Sequence, residues 1–497
     1  METYNYVLAG AVGLFITLIL RTASRGPLAH IPGPWYTKFT SWPLKFYWLL
    51  GKKAAYVHRL HAKYGPVVRI TPDEADLCDV SAKQTIYSTK ETYVKTSFYD
   101  KLTGWNEGLF STRNIDTHRH LRRLLSGPMS DNSLRTVEPL VRRRVDLTIH
   151  RMVESMQTKG FVDVFHWAFL MTSDIIGELS FGESFGNLEA GTKGQYLNDV
   201  LNIGWAGGIC VAFPWLFQYR LLTAMTTVIP AVRSVLVSIR RITQYAHESL
   251  ARYRRLVDED PVNVKPTLFT KLFKAGEKEA LSFEMITQSA RTYLVAGSDT
   301  TANTLTYLIW SVCKDQAIRD KLVAELTTKL PETNTFSDAD VRQLPYLNCV
   351  IEEALRLYTA VPSALPRAVP AQGAELAGYW FPGGVTVASQ AYSLHRDPAI
   401  YPKPYKFDPE RWTEGRATKL MKDASLAWGG GSRSEFSRHG VISGNNANHT
   451  ARAWNSLHWY AFGQDRNSSE YDSFLSHVPQ GNGIHRRGYV RQGYGDP

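Results

Sequence analysis

The most constraining feature of this 497-residue chain is a long helical pattern that contains the segment TYLVAGSDTTA at residues 292–302. Ser282 can cap the pattern and Glu284 places an acid in its first turn, so we expect one helix of about 30 residues, roughly 45 Å long. Its centre has three small residues, 296–298, followed by an acid and two hydroxyl groups, 299–301. The hydroxyls can bond back to carbonyls one turn earlier. This centre could hold a flat cofactor and pass protons to it, or it could be a kink in a buried helix.

Composition excludes several classes of protein. Hydrophobic residues make up 44% of the chain, which is enough to bury a large core. The four cysteines have no paired spacing, which suggests a reducing compartment and excludes a disulfide scaffold or a CxxC metal site. The net charge of +11 is spread over short Arg clusters on predicted helices. They are solvated helix faces, or a basic surface for an acidic protein or anionic lipid. No nucleic-acid motif accompanies the charge, so we expect no nucleic-acid partner.

The N-terminus has the features of a membrane anchor. Residues 6–20 form an uncharged, mostly apolar run, with Arg21 and Arg25 after it and only Glu2 before it. A cleaved signal has its positive charge in front, so these flanks favour an uncleaved anchor with the bulk of the protein on the cytoplasmic side. Ile-Pro-Gly-Pro at 31–34 predicts a stiff break before the rest of the chain. The alternative is a buried N-terminal helix. We expect residues 1–25 to be the anchor.

The rest of the chain is predicted to be mostly helical and to form one large domain. Residues 67–70 and 76–80 predict a β-hairpin, and short strands follow residue 368. The Gly-, Trp- and Phe-rich stretch at 187–223 lacks clear periodicity, which predicts mobile, apolar covering loops. The helical patterns cover residues 53–64, 117–125, 134–157, 165–179, 228–256, 267–275 and 346–357.

A second set of site-like residues lies towards the C-terminus. Glu353 and Arg356 share one face of the predicted helix 346–357, and Arg411 in FDPERW could join them in a buried cluster. The segment WGGGSRS follows at 428–434 and carries one cation, Arg433. Alone, that segment could be a flexible linker or an anion-binding loop.

Together, and in this order, these segments resemble the cytochrome P450 family of haem-thiolate monooxygenases. The residues that carry the resemblance are AGSDTT at 296–301, EALR at 353–356, Pro366-Arg367, FDPERW at 407–412 and WGGGSR at 428–433. The resemblance implies a mainly α fold with small β-sheets, of the α+β class. It also implies a haem domain over residues 26–434, followed by a tail at 435–497 that is outside the family pattern and could be disordered.

The resemblance also implies roles for individual residues. Ala296 and Gly297 would contact the distal face of haem b, and Asp299 with Thr300 would relay protons during heterolytic cleavage of dioxygen. Glu353, Arg356 and Arg411 would be structural. The haem propionates would be held by His118, which replaces the family's commoner Trp, and by Arg122, Arg367 and Arg433.

The chain departs from the family pattern at the position of the iron ligand. Aligning Trp428 and Arg433 with the family's loop puts Glu435 where the axial cysteine belongs, and Cys78, Cys210, Cys313 and Cys349 lie in other elements. A carboxylate cannot replace the electron donation of a thiolate. Residues 435–497 contain no Lys and no Cys. We therefore hypothesise that the gene departs from the family's frame after Ser434, through a retained intron, a frameshift or damage.

The resemblance predicts a monooxygenase that oxidises an apolar small molecule in fungal secondary metabolism, with a polyketide or terpenoid toxin as one substrate class. Electrons would come from NADPH through NADPH–cytochrome P450 reductase. The protein would be anchored in the endoplasmic reticulum membrane with its catalytic domain in the cytoplasm. Without the cysteine we expect little or no activity. Two alternatives are an inactive, membrane-bound protein that holds haem or a hydrophobic ligand, and a haem protein with His439 as the iron ligand.

Overall fold

The computed structural model describes residues 25–103, 108–126, 131–214, 230–260, 262–264, 267–270, 273, 282–330 and 337–433. The predicted anchor at 1–25 lies outside these ranges apart from Arg25, and so do the tail at 435–497, Glu435 and His439. Within the ranges, no helix has both the length and the apolar character that a membrane span requires.

Helices dominate the described chain, and the expected mainly α fold with small β-sheets is confirmed. The α-helices, α1 to α16 in order, are Trp42–Leu49, Lys53–Tyr64, Val80–Ile86, Phe98–Leu102, Ile115–Ser126, Asp131–Lys159, Val164–Phe181, Asn187–Ala190, Gln195–Ala212, Pro230–Glu259, Phe283–Lys314, Gln316–Lys329, Asp338–Arg342, Pro345–Leu357, Ala391–Leu394 and Lys419–Ala424. Short 3-10 turns are Trp35–Lys38, Pro409–Trp412 and Gly431–Arg433. The strands, β1 to β7, are Val67–Arg69, Glu74–Leu77, Val94–Lys95, Arg367–Ala368, Ala374–Leu376, Tyr379–Phe381 and Thr386–Ala388.

Five of the strands form one mixed sheet in the order β1-β2-β7-β4-β3. The predicted hairpin is its edge, with Val67 opposite Leu77 in the antiparallel pair β1–β2. β2 then runs parallel to β7, and β4 is antiparallel to both β7 and β3. The sheet thus joins a strand pair from the N-terminal fifth of the chain to strands from the C-terminal third. β5 and β6 form a separate two-stranded hairpin.

The long central helix is present as predicted. α11 has 32 residues, and the Ser282 side chain accepts a hydrogen bond from the Met285 backbone N–H. The largest hydrophobic cluster contains buried residues of α6, α7, α11, α12 and α14, and Trp428 packs against it. α11 and the glycine-rich segment at 428–433 therefore border the same core.

The prediction of covering loops at 187–223 is wrong for the residues of this stretch that the structure describes. α8 and the 18-residue helix α9 occupy most of this stretch, and residues 215–223 lie outside the described ranges. The glycines of α9 have a packing role that the periodicity did not reveal. A Cβ at Gly207 would lie 3.2 Å from the Leu102 side chain, and the Gly208 carbonyl accepts a hydrogen bond from Trp48 Nε1 at 3.0 Å.

The Pro-Gly-Pro segment, predicted as a stiff break after the anchor, is held against β1. The buried guanidinium of Arg69 donates to the carbonyls of Leu28 at 3.0 Å, Ile31 at 2.6 Å and Pro34 at 3.2 Å. Gly33 allows the close approach, because a Cβ there would lie 2.6 Å from the Arg69 carbonyl oxygen. Residues 28–34 are thus tied to the domain, since buried backbone carbonyls need hydrogen-bond donors and Arg69 supplies a donor to three of them.

Candidate haem site

The polar centre of α11 is arranged around Asp299. Asn303 Nδ2 donates to Asp299 Oδ1 at 3.0 Å and to the Asp299 carbonyl at 3.0 Å. Burial raises the pKa of Asp299, which makes this carboxyl easier to protonate than an exposed aspartate. As predicted from the sequence, Thr300 Oγ1 bonds back one turn, to the Ala296 carbonyl at 2.7 Å. The helix centre therefore offers an acid, an amide and a hydroxyl that can hold and pass a proton.

The three small residues of the helix centre lie in different surroundings. Ala296 is exposed, whereas Gly297 packs against α7, where a Cβ would lie 3.2 Å from the Ile176 side chain. Ser298 is buried, and its carbonyl accepts a hydrogen bond from Thr172 Oγ1 on α7 at 2.9 Å. Packing against α7 thus accounts for the small residues at 297 and 298. Contact of haem with Ala296 and Gly297 stays a prediction.

The four residues predicted to hold propionates come from three parts of the chain. Arg122 on α5 donates to the Ser432 carbonyl at 2.6 Å, and Arg433 donates to the Thr112 carbonyl at 3.0 Å. Arg367 on β4 is 3% exposed and donates to Tyr99 Oη at 2.6 Å. Arg367 and Arg433 line one small crevice together with Ser432. The structure therefore brings these predicted cations together.

His118 contributes a neutral imidazole to the same region. Burial, and then the positive charges of Arg433 and Lys95, lower the pKa of His118 to about 3. Within the described chain, His118 Nδ1 and Ser432 Oγ are buried without a hydrogen-bond partner. Buried polar atoms normally have partners, so an acceptor is expected beside these two. Three guanidinium groups with these unpaired atoms suit carboxylates, and the residues therefore fit the propionate end of a haem.

One member of this region, Glu91, was missed by the sequence analysis. Its side chain is 5% exposed; Glu91 Oε2 lies 3.0 Å from an Arg119 nitrogen and Oε1 lies 3.3 Å from Arg433 Nε. Glu91 belongs to the irregular stretch between α3 and β3, and no motif or periodicity distinguishes it there. Only the packing of α5 and residues 431–433 around it reveals its position.

The predicted cluster of Glu353, Arg356 and Arg411 is present and buried. Exposure of the three side chains is 0%, 2% and 3%. Glu353 Oε1 accepts from Arg356 at 2.8 Å and from Arg411 at 3.0 Å, and Oε2 accepts from Arg356 Nε at 2.8 Å. Arg356 also donates to the carbonyls of residues 395 and 404. The cluster therefore ties α14 to the irregular chain at 395–412.

His395 extends this scaffold to the glycine-rich segment, and no motif or periodicity distinguishes this histidine. His395 Nδ1 lies 2.9 Å from the Arg356 carbonyl, which can only accept, so Nδ1 carries the proton. His395 Nε2 then accepts from the Leu426 backbone N–H at 2.9 Å. Full burial lowers the pKa of His395 to about 3, which keeps the ring neutral. This histidine fixes the chain two residues before Trp428.

The four cysteines lie outside the glycine-rich segment at 428–433: Cys78 follows β2, and Cys210, Cys313 and Cys349 lie in α9, α11 and α14. Burial raises the pKa of Cys210 to about 12 and that of Cys313 and Cys349 to about 11, and it also raises the pKa of Cys78. Such cysteines stay protonated at neutral pH. Among the described residues, no group of three His, Cys, Asp or Glu side chains is placed to bind a metal.

Comparison with known proteins gives a consistent result. The family model for Cytochrome P450 matches residues 36–434. Cytochrome P450 monooxygenase orf2 of Aspergillus niger is 43% identical over 86% of this chain and 86% of its own. Cytochrome P450 monooxygenase tazI of Aspergillus terreus is 42% identical, over 86% and 87% of the two chains. Cytochrome P450 monooxygenase stcB of Emericella nidulans is 33% identical, over 85% and 81%.

Proposed function

The chain belongs to the cytochrome P450 family of monooxygenases, and from this premise we propose that its domain is built to oxidise an apolar small molecule in fungal secondary metabolism. The family membership confirms the resemblance drawn from the five sequence segments. The metabolic setting is supported by the resemblance and by the similarity to fungal monooxygenases. Haem b supplies the redox chemistry when bound, with electrons from NADPH delivered by a reductase.

We propose that His118, Arg122, Arg367 and Arg433 hold the propionates of the haem. The single observation that carries this proposal is the convergence of buried guanidinium groups and unpaired polar atoms on one crevice. Each guanidinium already donates a hydrogen bond to a carbonyl or a hydroxyl, which fixes the orientation of the guanidinium group. Guanidinium is planar and matches a carboxylate with two parallel hydrogen bonds. Oriented cations of this kind would bind the propionate end of the cofactor.

Asp299 and Thr300 are proposed to deliver protons. Burial raises the pKa of Asp299, which makes its carboxyl easier to protonate than an exposed aspartate, as a proton donor requires. Asn303 holds the carboxylate from the C-terminal side, so the acid has a fixed direction. Thr300 Oγ1 can exchange its bond to the Ala296 carbonyl for one to a proton acceptor. General acid transfer by a positioned group of this kind contributes about 10²–10⁴-fold to a rate.

We propose that the protein is attached to the endoplasmic reticulum membrane and meets NADPH–cytochrome P450 reductase there. The apolar run at residues 6–20 supports the attachment. Close after it, the large side chains of Trp35, Trp42 and Phe46 are 75%, 60% and 57% exposed. Exposed aromatics near an apolar terminus are typical of residues that lie in a membrane interface.

We further propose that this chain is inactive because Glu435 occupies the position of the axial cysteine. A thiolate donates electron density that favours cleavage of the O–O bond, and a carboxylate does not do so in the same way. The cause would be a departure from the family's frame after Ser434. Sequencing the transcript across the Ser434 codon tests this, and a mature message that encodes 435–497 as printed would rule out retained intron sequence.

The haem site and the inactivity are tested in one experiment on the full chain. Apoprotein is titrated with haem, and the absorption spectrum of the reduced carbon monoxide complex is recorded. We expect binding without the thiolate-type band, and that band in the protein as printed would refute the role given to Glu435. Arg433→Met should weaken binding at least about tenfold. The matched control, Arg416→Met, removes an exposed arginine that pairs with Asp408 at 3.7 Å and should leave binding unchanged. Equal binding by both variants would refute the propionate site.

A further inference from the structure

The buried carboxylate of Glu91 has no role in the proposed chemistry, yet it lies among the proposed propionate ligands. Glu91 is in the segment between α3 and β3, and its φ of 56° is left-handed, a conformation that non-glycine residues rarely adopt. Such a backbone is strained and persists only where the surroundings hold it. The side chain is 5% exposed, so solvent contributes little to holding it there.

What holds Glu91 is a set of cations on two sides. Arg119 lies 3.0 Å from Oε2 on the solvent side, where its own side chain is 63% exposed. Arg433 lies 3.3 Å from Oε1 on the inner side, with a side-chain exposure of 7%. His118 Nδ1, one of the unpaired buried atoms, is 3.8 Å from the same Oε1. Glu91 Oε2 thus faces the exposed Arg119, and Oε1 faces the residues that would hold a propionate.

We propose that Glu91 is an internal carboxylate that neutralises Arg433 and competes with a haem propionate for it. The inference rests on the proposed function, because it requires the crevice to accept the carboxylates of a porphyrin. Entry of a propionate moves Arg433 from Glu91 to the ligand, while Arg119 remains as the counter-ion of Glu91. Glu91 therefore lowers the affinity for the cofactor and stabilises the site without it.

The charges around Glu91 explain the direction of this effect. Lys95, Arg122, Arg367 and Arg433 all act on His118 through their positive charges, so they lie near it. Glu91 is the carboxylate that lines the same crevice. A propionate that reaches Arg433 therefore approaches the carboxylate of Glu91, and two like charges a few ångströms apart in a partly buried site repel each other. Removing the Glu91 charge removes the repulsion and leaves the cations in place.

The test uses protoporphyrin IX, which needs no iron ligand, and its dimethyl ester, which has no propionate charge. Binding to the full-length apoprotein is measured by fluorescence titration. We expect Glu91→Gln to bind protoporphyrin IX about tenfold more tightly than wild type, as a like-charge repulsion of this size implies. The ester should bind wild type and the variant equally. Asp116→Asn is the matched control, because Asp116 pairs with the same Arg119 at 3.6 Å but is 92% exposed, and it should change neither affinity.

Each other result refutes a specific statement. Weaker binding of protoporphyrin IX by Glu91→Gln would show that Glu91 only positions Arg433, and the same gain with the ester would show that the charge does not act through propionates. Glu91→Asp keeps the charge and should bind like wild type; a gain there would also contradict the proposal. If wild type binds neither porphyrin, the proposed haem site itself fails. Thermal unfolding of each variant, followed by circular dichroism, confirms that the affinities compare folded proteins.

Discussion

Replacing Glu353 by Gln tests the buried cluster that ties α14 to the irregular chain at 395–412. The carboxylate accepts hydrogen bonds from Arg356 Nε and a terminal nitrogen, Arg411 Nε, the Asp408 backbone N–H and Trp412 Nε1, at 2.8–3.0 Å. Glutamine keeps the shape but loses the charge, and its amide nitrogen donates where a guanidinium also donates. Two arginines that are 2% and 3% exposed would then lack a counter-charge.

The expected loss of stability follows from this geometry. Removing one partner of a buried ion pair costs about 3–5 kcal/mol, because the other charge stays buried and unpaired. A domain's total stability is only about 5–15 kcal/mol, so we expect Glu353→Gln to unfold at much lower urea concentration or to fail to fold. The five hydrogen bonds are not independent, so their separate values cannot be added.

The assay is urea unfolding of the full chain followed by circular dichroism, with Glu410→Gln as the matched control. Glu410 lies in the same 3-10 turn as Arg411 and pairs with Lys321 at 2.5 Å, but the two side chains are 37% and 50% exposed. A surface pair contributes about 0–1 kcal/mol. If the two variants unfold at the same urea concentration, the buried cluster does not support the fold as argued.

Three further predictions concern residues that the structure revealed. Burial lowers the pKa of His395 in the folded protein to about 3, below the ordinary value of 6.5, so the unfolded chain binds one more proton between these pH values and the free energy of unfolding falls as pH is lowered through that window. The free energy of unfolding, measured from pH 7 to 4, should depend less on pH in His395→Gln. An unchanged slope would contradict the buried neutral ring. Arg69→Met should cost about 1–3 kcal/mol, because the buried Ile31 carbonyl loses its Arg69 donor. Tryptic cleavage after Arg25 should become faster, and unchanged cleavage would show that Arg69 does not hold residues 28–34. Gly431→Ala would place a Cβ 2.3 Å from the Tyr87 carbonyl oxygen, whereas a Cβ at Gly378 meets nothing within 4 Å at a similar positive φ. Thermal unfolding should show a larger fall in melting temperature for Gly431→Ala than for Gly378→Ala, and equal falls would refute the packing argument.

Much of the local structure could be predicted because it depends on neighbours in sequence. α2 ends at Gly65, which has a φ of 96° that glycine tolerates best. The capping box at Ser337 and Asp340 forms as its spacing indicates. α11 has the predicted cap at Ser282 and nearly the predicted length. Helical spacing also put Glu353 and Arg356 on one face, and the long-range partner Arg411 came from the order of the family's segments.

Other features were decided only by the tertiary structure. α9 was missed because its glycines suggest a loop, whereas packing against Leu102 and Trp48 selects them for close approach. The packing of Gly297 against Ile176 on α7 could not be read from the sequence, and its contact with the cofactor stays a prediction. Glu91 and His395 carry no sequence signal, since their roles come from cations and carbonyls far away along the chain.

The sequence by itself determined the fold class, the long helix and the types of residue available to a haem, because periodicity, caps and ordered motifs are local properties of the chain. It also showed that no cysteine follows Cys349. Only the tertiary structure decided which cations share one buried crevice and that Glu91 is their internal counter-ion. Burial and the distances between charges set the strength of these interactions, and both arise only when distant segments pack together.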